Sequence, residues 1–409
     1  MDNWIDEITG TYIDLISGFA FKSKNFLSEK TDDSLPVIKI KNVANGDVNL
    51  NNIVYHNVDD SLKKFIISKG DLLIAMTGNH PQADSQVVGD VSRYKLDSKS
   101  LLNQRVGKII PKENTDLDFI YYLFKNKDTH TYLANQSSGS ANQANISKSN
   151  ILNLELSFPS FKEQKAIGQV LKSLDDKIDL LYRQNKTLEN LAETLFKNWF
   201  SSYETKKHKL HRFEDIVEHI KPGTNYQPKR IAEGIPFLNV RNLDNGFIDG
   251  SQFRYISEEE YKRVHKNWQP EENDILISRI GTLGLVAIIK KSDLPIAVHY
   301  NMLNIKASFV SYSFLYFLLK SDFFQTEYDT VKRVSVQEYV AVDDAKNIEI
   351  PLPISEDLIS FEEQTNSFMQ RIVSYQWVDG KHLSARRIID NISLTNNWQI
   401  VGAQLKRTT

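Results

Sequence analysis

From Ile167 onward, apolar positions recur at alternating spacings of four and three: Ile167, Leu171, Leu174, Ile178 and Leu181. The polar Asn185 takes the next place, and Leu188, Ala192, Leu195 and Trp199 continue the series. This is an unbroken heptad seam, narrower than the broad stripe of a helix lying on its own domain. It predicts a coiled-coil helix over 161–200, ~60 Å long at ~1.5 Å per residue. Asn185 on the seam would trade stability for a fixed register or partner. Ser160, with Glu163 three residues later and Pro159 before it, reads as the capping box that starts this helix. "SFKEQ" at 160–164 returns as "SFEEQ" at 360–364, so Ser360 and Glu363 predict a second helix start. The second seam begins with Phe368, Ile372 and Tyr375 and is interrupted at Asp379, Gly380 and His382. An antiparallel pairing of the two helices would bury both stripes.

A two-residue period appears elsewhere, and it too is written twice. "LPVIKIKNVANGDV" (35–48) matches "IPFLNVRNLDNGFI" (235–248), "GDLLIAMTG" (70–78) matches "NDILISRIG" (273–281), and "LNLELSFP" (152–159) matches "KNIEIPLP" (346–353). In the first pair, Ile38 and Ile40 alternate with Lys39 and Lys41. In its copy, Leu238 and Val240 alternate with Asn239 and Arg241. Such alternation predicts strands with one buried and one displayed face, closed by Asn-Gly turns at 45–46 and 245–246. The displayed residues change between copies while the buried ones keep their character. The expected organisation is an α/β chain of mixed α+β domains: residues 1–160, a spacer helix over 161–207, a second domain over 208–360, and a distal helix and tail over 361–409.

Composition adds limits. At 409 residues with 25% charged residues, the chain is long enough for two or three soluble domains. There is no cysteine, which excludes disulfides and thiolate metal sites and fits a cytoplasmic protein. No apolar run reaches membrane-spanning length, and "MDNWIDEITG" lacks the layout of a signal peptide. The net charge of −2 is not that of a nucleic-acid binder on average. The two long blocks are mildly acidic and the two helical ones mildly basic, and a basic face on one domain remains compatible with this.

Catalytic motifs are missing. No Walker loop and no dinucleotide fingerprint occurs, and "VGKII" (106–110) lacks both the leading glycine and the hydroxyl. Glu163-Gln164-Lys165 resembles half of a nuclease metal site, but it lies in a helix start and its copy has Thr365 for the lysine. His208, His211 and His219 read as a solvated linker rather than a metal site. No catalytic residue and no metal ligand is therefore assigned. What stands out is amide-rich and hydroxyl-rich loops, "TGNHPQADSQ" (77–86) and "NQSSGSANQAN" (135–145), whose side chains suit base edges and phosphates. As plain surface loops they would need no further explanation. Base readout in the first domain is expected from Thr77, Asn79, His80, Gln82, Gln104, Arg105, Ser140, Asn142 and Gln143. In the second it is expected from Arg241, Asn242, Arg279, Thr282, Asn301, Arg333 and Gln337. Lys22, Lys24, Lys39 and Lys41, and likewise Tyr226, Lys229, Asn239 and Tyr300, complete the expected DNA-facing sets.

"SGFAFKSKNF" (17–26), "LNQRVGKIIP" (102–111), "GSANQANIS" (139–147) and "FPSFKEQKAIGQVLKSLDDKI" (158–178) resemble the specificity subunit of type I restriction–modification systems. The resemblance covers essentially the whole chain and departs from it at "KPGTNYQPK" (221–229), where the glycine-aromatic phrase is not repeated. It implies two target-recognition domains in a pseudo-two-fold repeat, separated by long antiparallel coiled-coil helices. Each domain would read half of a split, asymmetric site in double-stranded DNA. The helices would set the spacing and dock two modification subunits, to which restriction subunits join. S-adenosylmethionine, ATP and Mg would then be bound by those partners and no cofactor by this chain. Two other readings stay open at this level: a coiled-coil scaffold without DNA readout, and a single-chain DNA-modifying enzyme with an unrecognised site.

Overall fold

The structure is a computed structural model that describes residues 4–43, 47–78, 87–137, 144–204, 210–244, 246–250, 253–334, 337–353, 356–365 and 368–370. The chain divides into two compact units, the first running to Lys177 and the second starting at Ile178.

In the first unit, Leu72–Ala75 is buried along its whole length, as expected of a strand covered on both faces. It lies in an antiparallel sheet of order Ile13–Ser17, Val106–Pro111, Leu72–Ala75, Val91–Arg93. Leu72 and Ile74 point into a core shared with Phe119, Ile120 and Phe124 of helix Leu117–Lys125. Leu73 points the other way, toward Val37, Leu101 and Val106. The layer on that side is a second sheet of order Tyr55–Asn57, Ser34–Ile38, Ser100–Leu102, Ile66–Ile67, in which Ser34–Ile38 and Ser100–Leu102 run parallel.

The second unit repeats the plan. Val217–Pro222, Met302–Ala307, Ile275–Ser278 and Val286–Ile288 form the same antiparallel order. Ile275 and Ile277 face helix Tyr312–Lys320, and Leu276 faces the second sheet. Helices Leu117–Lys125 and Lys127–Asn135 correspond to Tyr312–Lys320 and Asp322–Thr330. A single residue separates the helices of each pair, Asn126 or Ser321, and its side chain caps the helix after it.

The second glycine phrase proves equivalent to the first despite its different letters. Phe19 N donates to Leu102 O, and Gln104 N to Phe19 O. Thr224 N donates to Val298 O, and Tyr300 N to Thr224 O, in the same pattern. "SGF" and "PGT" therefore occupy one place in the fold. Both glycines are required by contact, since a Cβ on Gly18 would lie 2.2 Å from Asn103 O and one on Gly223 2.3 Å from Val298 O.

Two sequence expectations need correction. The alternation after Ile38 and Leu238 does not continue as strand. The strands end at Ile38 and Leu238, and tight 3-10 turns come next, Ile40–Asn42 and Val240–Asn242. Asn42 and Asn242 are buried and cause the turns. Each Oδ1 accepts from the backbone N–H of residue 39 or 239, and each Nδ2 donates to the carbonyl of Asn51 or Asp249.

The second "SFEEQ" does not start a helix. Residues 356–365 are helical, so Ser360 is inside, and its Oγ accepts from Gln364 Nε2. Pro159 stands directly before Ser160 and blocks helix upstream, whereas Pro353 stands seven residues before Ser360 and leaves room for one turn more. At the first copy, Glu163 N reaches Ser160 Oγ, but the Glu163 carboxylate takes the Trp4 indole N–H instead of closing a capping box.

The long helix is Phe161–Glu204 and includes the expected 161–200, with Ile178 of the seam buried. Ile167 and Leu171 belong to the first unit's core, and Ala192, Phe196 and Phe200 to the second's. Leu181, Leu188 and Leu195 are half-buried, and Leu174 is 45% exposed. Phe368 packs against the second core. The side chains of Asn185 and Trp199, and all of Ile372 and Tyr375, lie outside the described residues, as does the break at 379–382.

Gly18→Ala and Gly223→Ala are each expected to cost ~1–3 kcal/mol or more, because the obstructing atoms are backbone. Urea unfolding monitored in each variant checks this, and wild-type midpoints would contradict the close approach.

Candidate nucleic-acid interface

The turn at residues 103–105, with 299–301 in the copy, lies where strand and loop ends converge. In the first unit it carries Gln104 and Arg105, both exposed. Met76 N donates to Arg105 O, which brings the end of the buried strand alongside. Thr77 is only 2% exposed, so it does not present itself to a base edge. Its hydroxyl donates to Asn145 Oδ1 at 2.7 Å, and Arg105 Nη1 reaches the same oxygen at 2.9 Å. Sequence reasoning picked Thr77 and Arg105 and missed Asn145, whose signal was its place within the "GSANQANIS" phrase. Asn79, His80, Gln82, Ser140, Asn142 and Gln143 lie outside the described residues.

Beside this turn, Phe19, Phe21, Phe26 and His56 form a partly exposed aromatic cluster, with Phe19–Phe21 centroids 5.0 Å apart and Phe21–His56 4.7 Å. Lys39 Nζ stands 4.3 Å over the Phe26 ring. Burial, then the neighbouring Lys41, pushes the Lys39 pKa down. Lys22, Lys24 and Lys41 are exposed.

The second unit builds the same place differently. Arg279 N donates to Asn301 O, as Met76 N does to Arg105 O. Arg279 itself is half-buried and spent on the backbone, with Nε to Val340 O at 2.8 Å and Nη1 to Tyr300 O at 3.2 Å. Burial lowers its pKa. Arg333 is exposed, but its fork is closed on Asp344 by contacts of 2.6 and 2.8 Å. Asn242 is buried and holds its turn. Arg279 and Asn242 are thus framework, and Arg333 is paired in the free chain. Asn239 caps the turn by accepting from Arg241 N, and Arg241, Thr282, Lys229 and Gln337 are exposed. Tyr226 is 37% exposed, with the Arg263 guanidinium 4.3 Å over its ring. Tyr300 and Asn301 are half-buried, beside His299.

The backbone here rests on a neutral histidine. His265 is 2% exposed; its Nε2 accepts from Val298 N and its Nδ1 faces Trp268 O. Burial pushes its pKa down to about 4. No group of at least three potential metal ligands occurs among the described residues, and no described helix is long and apolar enough to cross a membrane.

Residues 12–190 and 206–374 each match the family model described as the type I restriction modification DNA specificity domain. The chain belongs to the type I restriction–modification specificity family. Over 388 residues it is 26% identical to the type I restriction enzyme MjaIX specificity subunit of Methanocaldococcus jannaschii, covering 86% of each chain. It is 24% identical over 314 residues to the EcoKI specificity subunit of Escherichia coli, covering 71% of this chain and 65% of that one. The fold is similar to the crystal structure of a type I restriction–modification S subunit from M. genitalium, with a TM-score of 0.55 and 15% identity over 95% of both chains. Within this family the chain is a non-catalytic specificity subunit with two recognition domains, not the enzyme.

The histidine gives a pH test. A folded-state pKa near 4, below the ordinary 6.5, means that the unfolded chain takes the proton first as pH falls. The second unit should keep full stability from this group above pH ~6.5 and lose about 3 kcal/mol as pH drops toward 4. Urea unfolding at pH 7 and pH 5 should show part of that loss, and His265→Gln should remove this component. An identical pH dependence in the variant would contradict the buried neutral ring.

Proposed function

We propose that each repeat reads one half of a bipartite, asymmetric site in duplex DNA, and that the helical segments hold the two halves at a set separation. The same segments dock two modification subunits, which bring S-adenosylmethionine, and restriction subunits join them with ATP and Mg. The observation that carries this reading is the pair of turns Lys39-Ile40-Lys41-Asn42 and Asn239-Val240-Arg241-Asn242. Their buried asparagine and its hydrogen bonds are the same, while their outward groups differ. A scaffold held constant beneath changed donors suits two readers with different targets.

Exchange of residues 1–160 for the corresponding domain of a relative tests it. Methylome sequencing of cells carrying the hybrid with its partners should show one half of the modified motif replaced and the other retained. Changes in both halves would refute modular reading. The spacing role has its own test in the long helix. Four residues inserted after Leu181 add about one turn, ~6 Å, and should lengthen the unspecified gap by one or two base pairs. Two inserted residues rotate the chain beyond Leu181 by ~200° and should abolish modification. An active four-residue insertion with an unchanged gap would separate the helix from spacing.

A further inference from the structure

Three arginines of the second unit are arranged around the strand Arg254–Ile256 of its second sheet. Arg254 opens the strand Arg254–Ile256, opposite Phe237, and Arg230 lies opposite Ile256 on the edge strand Arg230–Ile231. Residues 254 and 256 are two apart and share a face, so Arg230 and Arg254 are diagonal neighbours, about 7–8 Å apart. Arg241 stands in the turn that leaves Ile235–Leu238, the strand paired with Arg254. Behind burial, Arg241 and then Arg230 depress the Arg254 pKa, and Arg230 and Arg254 also act on His299. Among the described residues, none of the three arginines makes an ion pair with a carboxylate. This contrasts with Arg333, which is closed on Asp344, and Arg93, which contacts Asp118 and Asp175. A guanidinium with two like charges near it and no counter-charge is a site that an anion stabilises, and guanidinium forks match phosphate oxygens.

The first unit has no such group at the equivalent place. Leu27 bridges Tyr55 as Ile231 pairs with Tyr255, and Val37 N reaches Val54 O where Phe237 pairs with Arg254. Phe26 therefore stands for Arg230, Val54 for Arg254 and Lys41 for Arg241. Its aromatic cluster occupies the space in which the second unit gathers charge.

We propose that Arg230, Arg241 and Arg254 form a phosphate-binding site that grips the DNA backbone beside the second half-site, a contact the first recognition domain lacks. The proposal rests on the reading of the second repeat as a DNA-binding domain. Phosphate neutralisation makes affinity fall with salt, by a slope of about one per contact, and carries no base information.

The test uses the full chain assembled with its modification subunits and a duplex carrying the site found by methylome sequencing. Fluorescence anisotropy across a salt series should show the slope reduced by about one for Arg230→Gln and by about two for Arg230→Gln with Arg254→Gln. Target and unrelated duplexes should weaken by the same factor, and Arg230→Lys should retain the wild-type slope. Thermal melting confirms that each variant is folded. Normal slopes in folded variants would overturn the site alone. Relaxed preference at one base pair would also overturn it, by making the arginines base readers. A wild-type complex that binds no duplex would instead overturn the DNA reading on which the site rests.

Discussion

At Gly18 and Gly223 the chain passes another backbone segment so closely that no side chain fits between them. That contact joins the two sheets of each unit. The strand leaving the first sheet hydrogen-bonds on both sides of the turn at 103 or 299, and so fixes the residues next to it, Gln104 and Arg105 or Tyr300 and Asn301. Arg105 O and Asn301 O in turn accept from the end of the buried central strand. Three chain segments are thereby held at the same end of each unit by a shared set of backbone bonds, to which each copy adds side-chain bonds of its own. A backbone-made platform leaves the side chains free to vary, which a recognition protein requires.

The variation also reaches inside without disturbing the plan. Lys108 and Asp71 form an ion pair at 2.7 Å between neighbouring strands of the first unit. In the second unit the same places hold Asn304 and Asp274, joined by a 2.8 Å hydrogen bond. Burial raises the Asp274 pKa, because the amide offsets the carboxylate's lost hydration less than an ammonium would. Asn304 Nδ2 also lies 3.3 Å from His219 Nε2, while Asn304 Oδ1 is buried without a hydrogen-bond partner, so the two copies solve this interior position with different polar groups.

The duplication was legible because it is written in long-range identity, and the family because its phrases are specific. The coarse elements came from local rules: Leu72–Ala75 reads as a doubly covered strand, and "NG" at 245–246 separates the paired strands Leu243–Asp244 and Phe247–Ile248. The turn after Ile38 was misread because Ile-Lys-Ile-Lys alternates like a strand, while a buried Asn42 bonded nine residues ahead decides otherwise. Candidate site residues were legible by type and not by environment. Arg279, Arg333 and Asn242 carry the donors a DNA reader needs, yet tertiary partners already hold them. Arg230 and Arg254 were missed because their proximity exists only across strand register.

The long helix carries contacts to both cores as well as its seam. A seam at spacings of four and three implies a partner along its whole length. Here Ile167 and Leu171 satisfy one core, and Ala192, Phe196 and Phe200 another, with Leu174 left 45% exposed between them. Each unit is thus anchored to its own stretch of the helix, the second largely through Phe196 and Phe200, which lie off the seam. Tyr122 donates to Asp175 in one unit, and Tyr316 and Lys320 converge on Glu189 in the other. Buried polar links of this kind add geometric definition where apolar packing alone would allow a ring to slide or rotate. A helix secured this way moves with the domain that holds it.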